Sequence, residues 1–153
     1  MRTVGTDPFI VGSRAAKVNR FHDIIMNLED RRPIQLTDNG GEMRYAPAWS
    51  PDGRSMAVTL SRDGNPEIYS LNLGSRKLRR LTHGPAIDTE PVWTPDGKAL
   101  VFTSDRGGSP QLYRIAARGG QPKRLTFEGK YNAGADISPD GNKIAMVHGN
   151  DGS

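Results

Sequence analysis

The residues able to do chemistry in this chain are few. His22, His83 and His148 are the only histidines and there is no cysteine. No two histidines stand two or four residues apart, so the spacing of a zinc site is absent. The serines Ser13 and Ser75 follow glycine but lack the Gly-x-Ser-x-Gly turn that presents a nucleophile. Gly107-Gly108 and Gly119-Gly120 follow arginines and sit between strand-like segments, not between a strand and a helix. They read as hairpin turns, not phosphate cradles. One carboxylate group stands out. Asp88, Thr89 and Glu90 bring two carboxylates and a hydroxyl close together, and Asp136 lies at a comparable place further on. Oxygen ligands of this kind suit a hard cation such as Ca²⁺. No clustered ligand loop accompanies them, so a solvated polar rim is the favoured reading, with no metal and no cofactor expected.

The elements that carry these residues repeat. Trp49-Ser50-Pro51-Asp52-Gly53, Trp93-Thr94-Pro95-Asp96-Gly97 and Ile137-Ser138-Pro139-Asp140-Gly141 start 44 residues apart. The same shift superposes Gly64 on Gly108, Pro66 on Pro110, Tyr69 on Tyr113 and Leu81-Thr82 on Leu125-Thr126. Leu36-Thr37 precedes Leu81-Thr82 by 45, which makes one earlier loop longer by a residue. A period of this length is the signature of a β-propeller blade. Asp52, Asp96 and Asp140 recur with the module, whereas a catalytic residue is usually unique, so they are turn residues. Proline presets the first corner of the turn, aspartate bonds nearby backbone, and glycine takes the left-handed position.

Each repeat predicts four strands: 46–49, 55–60, 67–73 and a fourth ending in Arg-Leu-Thr; then 90–93, 99–104, 111–117 and again a fourth. Apolar periodicity of 3.6 is missing, so almost no helix is expected. The fold class is therefore all-β, an incomplete propeller of four-stranded blades. Residues 1–44 read as a partial blade and connection, 45–88 and 89–132 as complete blades, and 133–153 as the first half of another. In the partial first blade, strands are expected at 9–13, 23–28 and 33–37, with a long loop at 14–22; in the last, at 135–138 and 143–148. Trp49 and Trp93 fall at the same point of the innermost strand. They are assigned to packing between blades, as are Tyr69 and Tyr113.

Composition adds limits. A hydrophobic share of 35% and mean hydropathy of −0.62 fit thin blades with polar turns. No apolar run approaches membrane-span length, and residues 1–11 lack the apolar core of a secretory leader. The net charge of +4 comes from scattered cations without interleaved aromatics, which argues against nucleic acid as partner.

Function is then sought in the loops that differ between blades, 39–45, 83–90 and 127–134. Variable loops on a constant scaffold are where binding residues gather. The pattern Leu-Thr…Pro-x-Trp-Ser-Pro-Asp-Gly…Ser-x-Arg-x-Gly-x-x-x-Ile-Tyr resembles the propeller repeat of the TolB family, most closely over 88–93, 102–113 and 131–141. The resemblance implies a non-catalytic, periplasmic protein of the Tol–Pal envelope system. Its partners would be the peptidoglycan-associated lipoprotein Pal and other Tol proteins, its role outer-membrane integrity and cell division. Carried over by position, the contact residues would be Arg44, Tyr45, Asp88, Thr89, Glu90 and Asn132. Family members have a leader, an α/β domain and a six-bladed propeller, so the resemblance also implies a fragment, or copies associating edge to edge through open strand edges. The alternatives are the propeller gate of a prolyl-oligopeptidase-like serine protease, which needs a hydrolase domain, and a structural propeller with an unknown protein partner.

Overall fold

The computed structural model describes residues 11–16, 20–26, 31–35, 47–62 and 64–150. Among them there is no helix, and the strands form four antiparallel sheets. The first sheet holds β1 (Val11–Ala16), β2 (Arg20–Met26) and β3 (Pro33–Gln35) in that order. The second holds β4 (Ala48–Trp49), β5 (Ser55–Leu60), β6 (Glu67–Asn72) and β7 (Leu78–Arg80). The third holds β8 (Asp88–Trp93), β9 (Ala99–Ser104), β10 (Gln111–Ala116) and β11 (Lys123–Arg124). The fourth pairs β12 (Tyr131–Ile137) with β13 (Ile144–Gly149). Within each sheet every strand neighbours the next in sequence, which is the up-and-down meander of a propeller blade.

The second and third strands of the blades fall where the repeat places them. The first strands of the third and fourth sheets are longer than expected, whereas in the second sheet β4 covers only Ala48–Trp49 of the expected 46–49, with Pro47 outside the strand and residue 46 outside the described residues. β8 begins at Asp88, not at residue 90, because a bulge between Thr89 and Val92 lets it pair with β9 on both sides of Glu90. β12 likewise begins at Tyr131 with an irregularity between Ala133 and Asp136. Residues 88–90 and 131–134, expected in loops, are thus strand. The expected loop at 14–22 is mostly strand too, since Ala16 pairs with Arg20 and closes a hairpin. The loop at 39–45 lies outside the described residues.

The repeated block builds the same turn three times. Ser50 Oγ donates to Asp52 Oδ1 at 2.7 Å, and the Arg54 amide donates to the same oxygen at 3.0 Å. Thr94, Asp96 and Lys98 repeat this at 2.6 and 3.0 Å, and Ser138, Asp140 and Asn142 at 2.5 and 3.0 Å. Gly53, Gly97 and Gly141 take φ of 68°, 68° and 75°, a region costly for a side chain. Hydroxyl donation first, then the amide, holds all three carboxyls below their ordinary 3.8.

Packing runs between sheets. β9 is buried along its whole length on both faces, because a neighbouring blade covers each face. One cluster joins Ala57, Ile68 and Leu81 of the second sheet side to Leu100, Phe102, Tyr113 and Ile115 of the third. A second joins Val101 and Leu112 to Ala135, with Ile137 against it. Trp93 packs on the first cluster and donates Nε1–H to the Ala48 carbonyl at 3.2 Å, so it is the wedge between two blades. Trp49 is 43% exposed. In β13, Ile144, Met146 and Val147 are exposed, whereas their repeats Leu100, Phe102 and Thr103 are buried.

Two outcomes test these roles. Trp93→Ala should lower unfolding free energy in urea by about 2 kcal/mol, less than a fully buried Trp because the ring is half covered. Trp49→Ala should cost less than half of that. The folded pKa of the three turn aspartates is depressed, so their stabilisation is present above the unfolded value of 3.8 and lost as pH falls through the lower folded values. The triple Asp→Asn variant should therefore show a flatter melting temperature than the wild type below about pH 4.

Candidate functional site

The candidate site lies at the end of the sheets where each blade hands over to the next. The Leu-Thr dipeptide closes the fourth strand there. The Leu81 amide donates to Ile68 O at 2.8 Å, and Thr82 Oγ1 accepts the Ile68 amide at 2.9 Å while donating to Glu67. One blade on, Leu125 donates to Leu112 O at 2.8 Å; Thr126 Oγ1 accepts the Leu112 amide at 2.9 Å and donates to Gln111 Oε1 at 2.7 Å. This threonine clasp satisfies a backbone donor and a buried acceptor with one hydroxyl. Arg80 completes the first clasp with an ion pair to Glu67 at 2.7 Å and a bond to Thr82 O. Sequence reasoning used Leu-Thr only to set register. Its 44-residue recurrence was the signal for this role, but the partners Glu67 and Gln111 differ in type and hide it.

The next blade starts directly above the clasp. The Asp88 amide donates to Pro66 O, and the Asn132 amide to Pro110 O, each at 2.9 Å. These equivalent residues turn their side chains inward. Asp88 is 1% exposed and pairs with Arg106 at 2.6 Å. Arg106 also donates to Ser104 Oγ at 2.8 Å and lies over the rings of Phe102 and Tyr113. Burial raises the Asp88 carboxyl, opposed by bonds from Ser104 and Arg106. Asn132 is fully buried: its amide bonds Gln111 Oε1 at 2.8 Å and Glu128 O at 2.7 Å, and its Oδ1 meets His148 Nδ1 at 2.7 Å. Thr89 is also buried. Arg44 and Tyr45 lie outside the described residues.

Glu90 differs from these. It has φ of 55°, in the left-handed region where the equivalent residue one blade later is Gly134 at 63°. Its Oε2 accepts Thr103 Oγ1 at 2.7 Å and the Gly134 amide at 2.9 Å, a bond between adjacent blades. A side chain in this conformation carries strain of about 1–2 kcal/mol, and such outliers gather at functional sites. Glu90 sits between two hollows. One, of about 170 Å³, is lined by Ile87, Thr89, Thr103, Asp105 and Tyr131. The other, of about 350 Å³, is lined by Pro47, Ala48, Val92 and Gly134. The structure thus brings Asp88, Thr89, Glu90 and Asn132 to one end of the sheets, and of the four Thr89 and Glu90 line the surface hollows. Asp88 faces Arg106, away from Glu90's oxygen partners. Among the described residues no three His, Asp or Glu side chains converge on a metal position.

Comparison with known proteins decides the family. The model of the TolB beta propeller domain matches residues 20–153. The chain belongs to the TolB β-propeller family. A Tol-Pal system protein TolB from Ruthia magnifica subsp. Calyptogena magnifica is 47% identical over 52 residues, 34% of this chain and 12% of that protein. The crystal structure of TolB from Acinetobacter baumannii matches 94% of this chain and 35% of its own, with 46% identity and a TM-score of 0.83. A putative TolB from Agrobacterium tumefaciens matches 92% of this chain and 50% of its own at 28% identity, also with a TM-score of 0.83. The chain therefore spans at most half the length of these relatives. The incomplete propeller read from the repeat agrees with that span.

The clasp has a direct test. Thr82→Val strands the Ile68 amide and a Glu67 oxygen in a buried place and should cost about 1–3 kcal/mol. Thr82→Ser should restore most of it, since the hydroxyl alone makes both bonds. Urea denaturation of the two variants measures the difference.

Proposed function

We propose that this chain is a non-catalytic protein-binding module of the Tol–Pal envelope system, acting in the periplasm. Its partner is the peptidoglycan-associated lipoprotein Pal, and its role lies in outer-membrane integrity and cell division. Family membership supports the system, and the handover end of the blades supports the binding surface. The observation that carries the reading is Glu90. A glutamate held at positive φ, where the next repeat has glycine, keeps one carboxylate oxygen on Thr103 and Gly134 at the edge of an open hollow. Ile87 and Tyr131 are exposed beside it and supply apolar area. In this reading Glu90 and Thr89 belong to the contact, while Asp88 and Asn132 hold the contact surface from beneath. Arg44 and Tyr45 extend it by position in the repeat.

Glu90→Gly separates binding from folding. Strain release of about 1–2 kcal/mol offsets the loss of two hydrogen bonds worth about 1 kcal/mol each, so stability should change by less than about 1 kcal/mol. Calorimetric titration with Pal should show at least a tenfold weaker affinity. Full affinity in the variant removes Glu90 from the contact, and no heat from the folded wild-type chain defeats the Pal reading.

A further inference from the structure

The opposite end of the blades carries a different kind of surface. In a meander, the turn from first to second strand and the turn from third to fourth leave by the same end of the sheet. Here that end is basic. The second sheet places Arg54, Arg76 and Lys77 there, and the third places Lys98, Arg118 and Lys123, all exposed. The carboxylates of those turns are Asp52 and Asp96, both tied into the turn by hydroxyl and amide donors. Six cations thus face two anions across two blades. The ends adjoin one another: a β-carbon at Gly97 would touch Pro51 of the preceding blade, and one at Gly141 would touch Pro95. Arg79 of β7 donates across to the Arg118 carbonyl. The cations therefore form a band that crosses from blade to blade.

The handover end of the same blades shows no such excess. Arg80–Glu67 and Arg106–Asp88 are pairs within the protein. Beyond them, Arg62, Arg124 and Lys130 are matched by Glu90, Asp105 and Glu128 among the described residues of these blades. Among the described residues of the second and third sheets, the excess of cations thus lies at the hairpin end, although the six residues come from separate turns along the chain.

We propose that the basic hairpin end is an interaction surface for an anionic lipid headgroup layer, separate from the protein-binding end. The cations are exposed, stand on long side chains and come from turns at irregular intervals. Fluid lipids redistribute to meet such scattered charges. A polymer has its charge spacing fixed by its own chain and needs a matching row or groove. Attraction to an anionic leaflet is electrostatic, is worth about a fivefold gain in partition per basic residue, and is screened over a Debye length of about 8 Å at physiological salt. It requires no apolar insertion, and no helix of the described residues is long and apolar enough to cross a membrane.

Co-sedimentation of the whole chain with vesicles tests this. The chain should pellet with phosphatidylcholine vesicles doped with phosphatidylglycerol, not with phosphatidylcholine alone, and salt near 0.5 M should release it. Arg54→Gln with Lys77→Gln, and separately Arg118→Gln with Lys123→Gln, should each weaken partition about twenty-fold. Arg62→Gln, at the other end, should leave it within about twofold. Circular dichroism and thermal melts establish that the variants fold, and the Arg62 variant carries the comparison whichever double variant is the less stable. Equal loss on Arg62→Gln, salt-independent pelleting, or absence of pelleting with both vesicle types overturns the proposal. So does retention on immobilised heparin without any vesicle binding, which assigns the band to a soluble polyanion.

Discussion

A four-stranded blade cannot bury its own two faces. Its second strand is apolar on both, as in Met56-Ala57-Val58 and Leu100-Val101-Phe102, and water is excluded only when a sheet lies against each side. This one requirement organises the molecule. Stability is shared between neighbours, as in other repeat architectures. The contrast within the chain makes the point: residues of β9 are buried throughout, while Ile144, Met146 and Val147 of β13 keep their apolar character but stay exposed. The same sequence pattern has a different fate because its neighbours differ.

Stacking sheets also buries the polar backbone at the blade junctions, and the junction chemistry answers that cost. Each handover must satisfy amides at the start of a third strand and the start of the next first strand. Threonine clasps meet the first need, and the carbonyls of Pro66 and Pro110 meet the second. Proline is well suited there, since it offers an acceptor without requiring a donor partner of its own. What remains is a buried slot beside the next blade, filled by Asp88 with Arg106 in one repeat and by Asn132 with Gln111 and His148 in the following one. The polar solution changes from charged to neutral while the backbone stays the same. The amide network bonds both polar atoms of the Asn132 side chain, whereas the ion pair engages Asp88 Oδ2 and leaves its buried Oδ1 without a hydrogen bond.

The blade register, the turns and most second and third strands were legible in the sequence because they rest on local chemistry that recurs at one spacing. Asp52, Asp96 and Asp140 were assigned to turns by repetition, and their bonds to Ser50, Thr94 and Ser138 follow from local geometry. Less legible were features that depend on contacts distant in sequence, within a blade or across to its neighbour. Asp88 and Asn132 were read as surface residues because polar side chains in variable segments usually face water. Their partners lie 18, 21 and 16 residues away, in another turn or strand, and differ in type. The length of β8 was missed for a related reason. A bulge centred on Glu90 interrupts strand alternation, and a glutamate gives no sign of positive φ as a glycine would. Only the later Gly134, 44 residues on, marks the position in the sequence.

The two ends of the blades are constrained differently, and this explains why chemistry separates between them. At the hairpin end, tight turns need hydroxyl, proline, aspartate and glycine in fixed order, so the first four positions are occupied by conformation. The next position donates only its backbone amide to the aspartate, as Arg54 and Lys98 do, and its side chain is free to vary. A cation there also offsets the ionised turn carboxylate, which is held low in pKa and stays charged. At the handover end the connections are longer, the clasp fixes only Leu and Thr, and the remaining residues vary from blade to blade. The constant turn thus leaves free side-chain positions where cations gather at one end, and the longer connections leave an irregular, individually shaped surface at the other. The 44-residue period that builds the scaffold therefore also divides the surface into two ends of different chemistry.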